Sequence, residues 1–141
     1  INFPDVVSPV AAYVPPVRSG PQVFTSRQVP MVQGTLAATG KVGGEVTLEE
    51  AQGHARTCAL NALAAVDALV GLDSVARVVK VVGFVASAPG FGGQPQVING
   101  ASELLGEIFG DAGQHARSAV GVAELPLGAP VEVEMIVEVN D

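Results

Sequence analysis

The sequence predicts an α+β fold in the order β-β-α-β-α-β-β, with two helices interspersed in an open sheet. Three observations predict it. Thr47-Leu48-Glu49-Glu50 is a helix-start signature and opens the longest stretch with apolar residues at steps of three and four. The run from Val75 to Val85 is too rich in β-branched side chains for a good helix. Between His115 and Val139 two further β-favouring runs are joined across Leu125 to Pro130. The 141 residues suit one domain, 1–141, with its own hydrophobic core.

Residues 1–11, rich in Pro and Val, read as an extended N-terminal arm. Val14 to Arg18 and Gln22 to Ser26 read as strands that turn at Ser19-Gly20-Pro21. Thr35 to Glu45 is glycine-rich without a clear period, hence a loop with room for one short strand. In the first helix the Thr47 hydroxyl and Glu50 carboxylate satisfy free N–H groups at the start, and Gly71 ends it. Its apolar stripe is Ala51, Ala55, Cys58, Ala62, Val66 and Leu69. The Val75–Val85 strand carries apolar residues at both parities, as a strand covered on both faces does. A Gly/Pro loop from Ser87 to Pro95 leads to a second helix from about Gln96 to Gly110. Its apolar side is Val97, Leu104, Leu105, Ile108 and Phe109.

Hydrophobic residues make up 48% and charged residues 15%, which excludes a disordered chain. So few charges on a small domain leave apolar surface for burial between subunits. The net charge is −7 with no Lys/Arg run, so a phosphate backbone finds no basic track and nucleic acid is not an expected partner. The single cysteine, Cys58, forms no internal disulfide and fits a reducing compartment. No apolar run reaches the ~20 residues of a membrane span, so no membrane is expected and the cytoplasm is the default location.

Several motifs fail. Gly90-Phe91-Gly92-Gly93-Gln94-Pro95 has the GxG of a dinucleotide loop but a proline where the third glycine belongs. His54 and His115 stand alone in sequence and read as surface histidines, so no metal site is expected. Cys58 lies on the buried stripe, a small core residue rather than a nucleophile. Ser118 is near His115, but on a strand i and i+3 face opposite sides, so they make no triad.

Arg117 and Glu132 stand out in the last two strands. Arg117 either forms a structural ion pair, with Asp111, Glu124 or another carboxylate, or presents a guanidinium fork to a ligand carboxylate. Glu132, between Val131 and Val133, is either partly desolvated with its pKa raised toward a general-base range, or lies on a wet face with Glu134 and Glu138.

Ala116-Arg117-Ser118, Leu125-Pro126 and Val131-Glu132-Val133-Glu134 together resemble the C-terminal signature of the YjgF family, the reactive-intermediate (enamine/imine) deaminases, also labelled endoribonuclease L-PSP. Further matches are Tyr13 to the family's pocket tyrosine, Thr25 to Pro30 to its T-S-G-Q-I-P segment, and Asn99 to its helix-two asparagine. The resemblance implies a chorismate-mutase-like fold, with the two helices on one face of the sheet, assembled as a homotrimer with pockets at the subunit clefts. It implies that Arg117 holds the carboxylate of a small 2-imino acid and that Glu132 activates the attacking water, without metal or organic cofactor. Tyr13 and Asn99 would shape the pocket, and the backbone near Arg27 and Ala119 would line it. Arg27 stands where the family has glycine, and either fills the pocket or adds an anion contact. Ala119 replaces a common cysteine and Gly121 a frequent glutamate. Two other functions remain beside deamination: a non-enzymatic trimer that binds a carboxylate metabolite or regulates a partner, and RNA cleavage.

Overall fold

The computed structural model describes residues 2–5 and 15–140. Along the chain the elements are β1 (Val17–Ser19), β2 (Gln22–Phe24), β3 (Met31–Val32), β4 (Thr35–Leu36), α1 (Leu48–Val70), β5 (Val75–Ala86), α2 (Gln94–Phe109), β6 (Ala116–Val122) and β7 (Val131–Val139). Five strands form one mixed sheet in the order β1-β2-β7-β5-β6, and β3 and β4 form a separate ribbon. β5 and β6 are parallel and joined by α2, whereas the other pairs are antiparallel. The predicted element order holds, with one addition. The β3–β4 hairpin begins within the stretch just before the predicted loop, turning at Gln33 and Gly34, both at positive φ (51° and 79°).

Local chemistry places the helix ends. The Thr47 hydroxyl accepts from the Glu50 N–H at 3.1 Å, and the Glu50 carboxylate accepts from the Thr47 N–H at 3.0 Å. α2 begins at Gln94 rather than Gln96, because Pro95 in the first turn lacks only an N–H that would have no helical partner there. The apolar stripe of α1 holds from Ala51 to Val66 and fails at Leu69, which is 45% exposed. A step of three from Val66 rotates the side chain off the buried face, and Val70, a step of four, packs on the core instead.

Both helices lie on one face of the sheet. Gly83 of β5 sits under Ile98 of α2, where a Cβ would overlap the Ile98 side chain. Val81 and Val85 share that face, as do Val131, Val133, Met135 and Val137 of β7. Against them pack Leu63 of α1 and Ile98, Leu104 and Leu105 of α2, each such side chain contributing about 1.5–3 kcal/mol by burial. The helices meet closely at Gly100, where a Cβ would overlap the Gln52 carbonyl.

The opposite face has no helix. Val82, Phe84, Val120, Ile136 and Phe24 lie on it, with Val120 44% and Phe24 39% exposed. A small second core of Val29, Ala86, Leu125 and Ala129 covers one end of this face, and Phe84 packs against it. The apolar residues at both parities of β5 therefore have two destinations: one set is under the helices, and the other faces outward. Among the described residues no helix is long and apolar enough to cross a membrane.

Candidate functional site

Register determines where each predicted residue points. Arg117 pairs with Val81 and Ala119 with Gly83, so both lie on the helix-covered face. From there Arg117 Nη1 donates to Asn99 Oδ1 at 2.8 Å and to Ser102 Oγ at 3.2 Å, both on α2. Ala119 is half-buried and packs against the main core. The structural ion pair considered for Arg117 is not formed: among the described residues no ion pair involves it, and Glu124 faces Lys41 at 3.6 Å. Among the described residues nothing bonds its Nε and Nη2.

His115 is not the surface residue its isolation in sequence suggested. It is half-buried, with Nε2 2.9 Å from Ser102 Oγ and Nδ1 2.6 Å from the Gly113 carbonyl oxygen. Ser102, His115, Gln114, Gly113 and Arg117 line a cavity of about 430 Å³. Sequence reasoning tested His115 against Ser118 and missed Ser102, which lies on another element; only the packing of α2 beside β6 joins them.

Glu132 pairs with Phe84 and lies on the other face. It is 5% exposed, and its Oε1 has no hydrogen-bond partner among the described residues. Arg27 Nη1 lies 3.7 Å from that oxygen, beyond hydrogen-bond reach, and Arg27 Nε lies 3.8 Å from Glu134 Oε1. The same guanidinium stacks over the Phe84 ring, 4.1 Å from its centre. Burial pushes the Glu132 carboxyl above the ordinary range; Arg27 pulls it down and Glu134 pushes it up. The wet-face reading of Glu132 is therefore excluded, while Glu134 is half-exposed. On the α1 side, Cys58 is buried with its thiol pKa raised by burial and by Glu132, an unreactive core residue.

The arginine at position 27 has a measurable consequence. A carboxyl held above its ordinary range keeps its proton to higher pH in the folded chain than in the unfolded one. Its contribution to stability is complete below the unfolded pKa and is lost as pH rises through the folded value. Arg27→Gly removes the lowering influence, so the Glu132 titration moves further up and the pH-dependent loss deepens at neutral pH. Carboxyl ¹³C NMR titration should show that upward move, and urea unfolding should show a larger deficit at pH 7 than at pH 4. Glycine's own backbone cost, about 0.5–1 kcal/mol, is independent of pH and drops out of the difference. An unmoved Glu132 titration would mean that the guanidinium does not act on it.

The candidate residues thus form two groups. Arg117, Asn99 and Ala119 share the helix face, and Arg27 and Glu132 share the other. Arg117 and Glu132 also stand on rows three residues apart on β5 and flank it on either side, roughly 10 Å along and 10 Å across. One chain cannot apply both to one small ligand. Tyr13 lies outside the described residues. Among the described residues no three His, Cys, Asp or Glu side chains cluster so as to hold a metal ion.

A family model described as "YjgF/chorismate mutase-like, putative endoribonuclease" matches residues 1–139. The chain is 46% identical over 143 residues to Protein TCP17 of Trypanosoma cruzi, covering all of this chain and 89% of that protein. The crystal structure of Atu1372 from Agrobacterium tumefaciens, described as of unknown function, superposes with a TM-score of 0.93 at 45% identity, over 99% of this chain and 87% of that one. That of E. coli TdcF with bound serine superposes with a TM-score of 0.61 at 25% identity, over 99% and 94%.

Proposed function

The chain belongs to the YjgF/chorismate mutase-like family, and on that premise we propose that it hydrolyses small 2-imino acids and their enamine tautomers to 2-keto acids and ammonia, in clefts between the copies of a homotrimer. The observation that carries this reading is the division of the candidate site between the two faces of the sheet. A guanidinium with a free fork on one face and, on the other, a buried carboxylate oxygen that has the Arg27 charge nearby but no hydrogen bond among the described residues become a single site only when two copies meet. The helix-free face supplies apolar surface for that meeting in Phe24, Val82, Val120 and Ile136.

In such a cleft Arg117 grips the substrate carboxylate through its unpaired Nε and Nη2, which sets the orientation of C2. Glu132 of the adjoining copy takes a proton from water as the oxygen attacks the electrophilic imine carbon. Returning that proton to nitrogen gives the carbinolamine; its hydroxyl proton then passes to nitrogen, with Glu132 as the relay, and ammonia leaves as the C2 carbonyl forms. One water is consumed and one ammonia released, with no redox change. A raised Glu132 pKa suits this work, since a base poised nearer neutrality also returns the proton more readily. The serine in the E. coli relative is a 2-amino acid, the carboxylate-bearing shape that Arg117 would read.

A second reading, carboxylate binding without turnover, is favoured by one observation: the Arg27 guanidinium already stands beside Glu132, where the attacking water belongs. RNA cleavage draws support from the family description and from solved relatives named as putative endoribonucleases, and a net charge of −7 without a basic track opposes it.

A coupled assay separates the readings. An amino-acid oxidase with catalase generates imino acids in situ, and ammonia release is followed with and without this protein. The deaminase reading expects the release to accelerate in proportion to protein added. Binding of 2-oxobutanoate without any acceleration would establish the second reading in its place.

A further inference from the structure

We propose that Ser102 and His115 are positioning residues that aim Arg117, through a one-way chain of hydrogen bonds running from the guanidinium to a backbone carbonyl. The inference rests on the reading of Arg117 as a carboxylate anchor, and assigns to that anchor a support that lies outside the residues matching the family signature.

The direction of the chain follows from its last member. A carbonyl oxygen only accepts, so the 2.6 Å contact between His115 Nδ1 and the Gly113 oxygen requires the proton on Nδ1. In the neutral ring Nε2 is then an acceptor, and its 2.9 Å partner, the Ser102 hydroxyl, must donate to it. With its proton so committed, Ser102 Oγ presents lone pairs to Arg117 Nη1 at 3.2 Å. Asn99 Oδ1 accepts from the same Nη1 at 2.8 Å. One guanidinium nitrogen is thereby saturated by two side chains of α2, which leaves the Nε–Nη2 fork for a ligand.

The backbone supports this arrangement at both ends. Gly113, which supplies the terminal carbonyl, is buried at a spot where a Cβ would overlap the Leu105 carbonyl, so the turn before β6 is pressed against α2. Ser102 occupies the α2 position one turn after Asn99, so the two acceptors stack on one side of the helix. An arginine on a strand has several rotatable bonds, and two fixed acceptors remove most of that freedom before a ligand arrives. A nucleophilic role for Ser102 is a poorer account of the same geometry. Its oxygen already accepts from the Arg117 cation, which lowers its basicity and its strength as a nucleophile.

Two measurements test the proposal. The first needs no ligand: long-range ¹H–¹⁵N spectra of the native protein should show His115 as the Nδ1–H tautomer. An Nε2–H tautomer would overturn the chain. The second is a mutant cycle on affinity for 2-oxobutanoate, read by calorimetry, with thermal midpoints recorded beside it. Ser102→Ala and His115→Ala should each weaken binding about tenfold, as expected for loss of one hydrogen bond to a charged group. Ser102→Thr, which keeps the hydroxyl, should restore most of the affinity. In an Arg117→Ala background Ser102→Ala should add nothing, because there is no guanidinium left to aim. Equal affinities for native and Ser102→Ala protein, with Arg117→Ala still defective, would overturn the positioning role while leaving the carboxylate anchor standing. Equal affinities for native and Arg117→Ala protein would instead remove the anchor, and the proposal with it.

Discussion

Glu132→Gln is expected to lower kcat/KM for imino-acid hydrolysis by about 10²–10⁴, the range for loss of a positioned general base. The substitution keeps the shape of the side chain and removes its capacity to hold a proton from water. Under the proposal Arg117 of the adjoining copy does the gripping, so affinity for 2-oxobutanoate should stay within a few-fold of native. Stability should move the opposite way from activity. The ionised carboxylate is buried with an oxygen that has no hydrogen-bond partner among the described residues, and a neutral amide relieves that cost. The half-exposed Arg27 loses little, since water and Glu134 remain available to it. Urea midpoints at pH 7 should therefore be equal or higher in Glu132→Gln, and the gain should vanish at pH 4, where the native carboxyl is itself protonated. A kcat/KM within about threefold of native would remove Glu132 from the reaction.

Arg117→Ala should cost about 10²–10³ in kcat/KM, consistent with the ~3–4 kcal/mol of a desolvated guanidinium–carboxylate pair. Unlike the glutamate variant it should also lose ligand affinity. The more telling result is expected from a mixture. Arg117→Ala and Glu132→Gln chains, each inactive alone, are unfolded together in equal amounts and refolded. In a closed trimer whose sites each take Arg117 from one copy and Glu132 from the next, every mixed assembly holds one intact site. About a quarter of native activity should return. Mixed assemblies seen by native mass spectrometry without any return of activity would show that the two residues do not share a site.

The reason such a recovery is possible was only half visible in the amino-acid order. Arg117 and Glu132 were recognisable as unusual charges in β-favouring runs, and their match to a family signature put both in one pocket. Alternation along each strand is also legible, since Glu132 stands between two core valines. What relates the parity of β6 to that of β7 is their separate registers on β5, Val81 with Arg117 and Phe84 with Glu132. Those pairings join segments far apart in the chain, and a shift of one residue in either would put both groups on the same face.

Arg27 and His115 show the same boundary from the other side. As a departure from a family pattern Arg27 was conspicuous, but filling the pocket and adding an anion contact were equally open to it. Packing decided: the guanidinium lies over Phe84, between Glu132 and Glu134, because the segment after β2 continues along the edge of β7 through the Gln28–Val133 bridge. His115 lacked any partner in sequence because its partner is thirteen positions away on a helix.

By itself, then, the sequence determined the element order apart from the β3–β4 hairpin, the start of α1 at its capping box, the stop at Gly71, and which residues carry unusual charge. Each of these depends on contacts within a turn or two, so local periodicity and hydrogen bonding suffice. The tertiary structure alone decided which face each charge occupies, that Ser102 joins His115 to Arg117, and that Glu132 is buried beside Arg27. Those outcomes depend on strand register and on the close fit of α2 against the sheet, where Gly83 admits Ile98, and long-range packing is their only source.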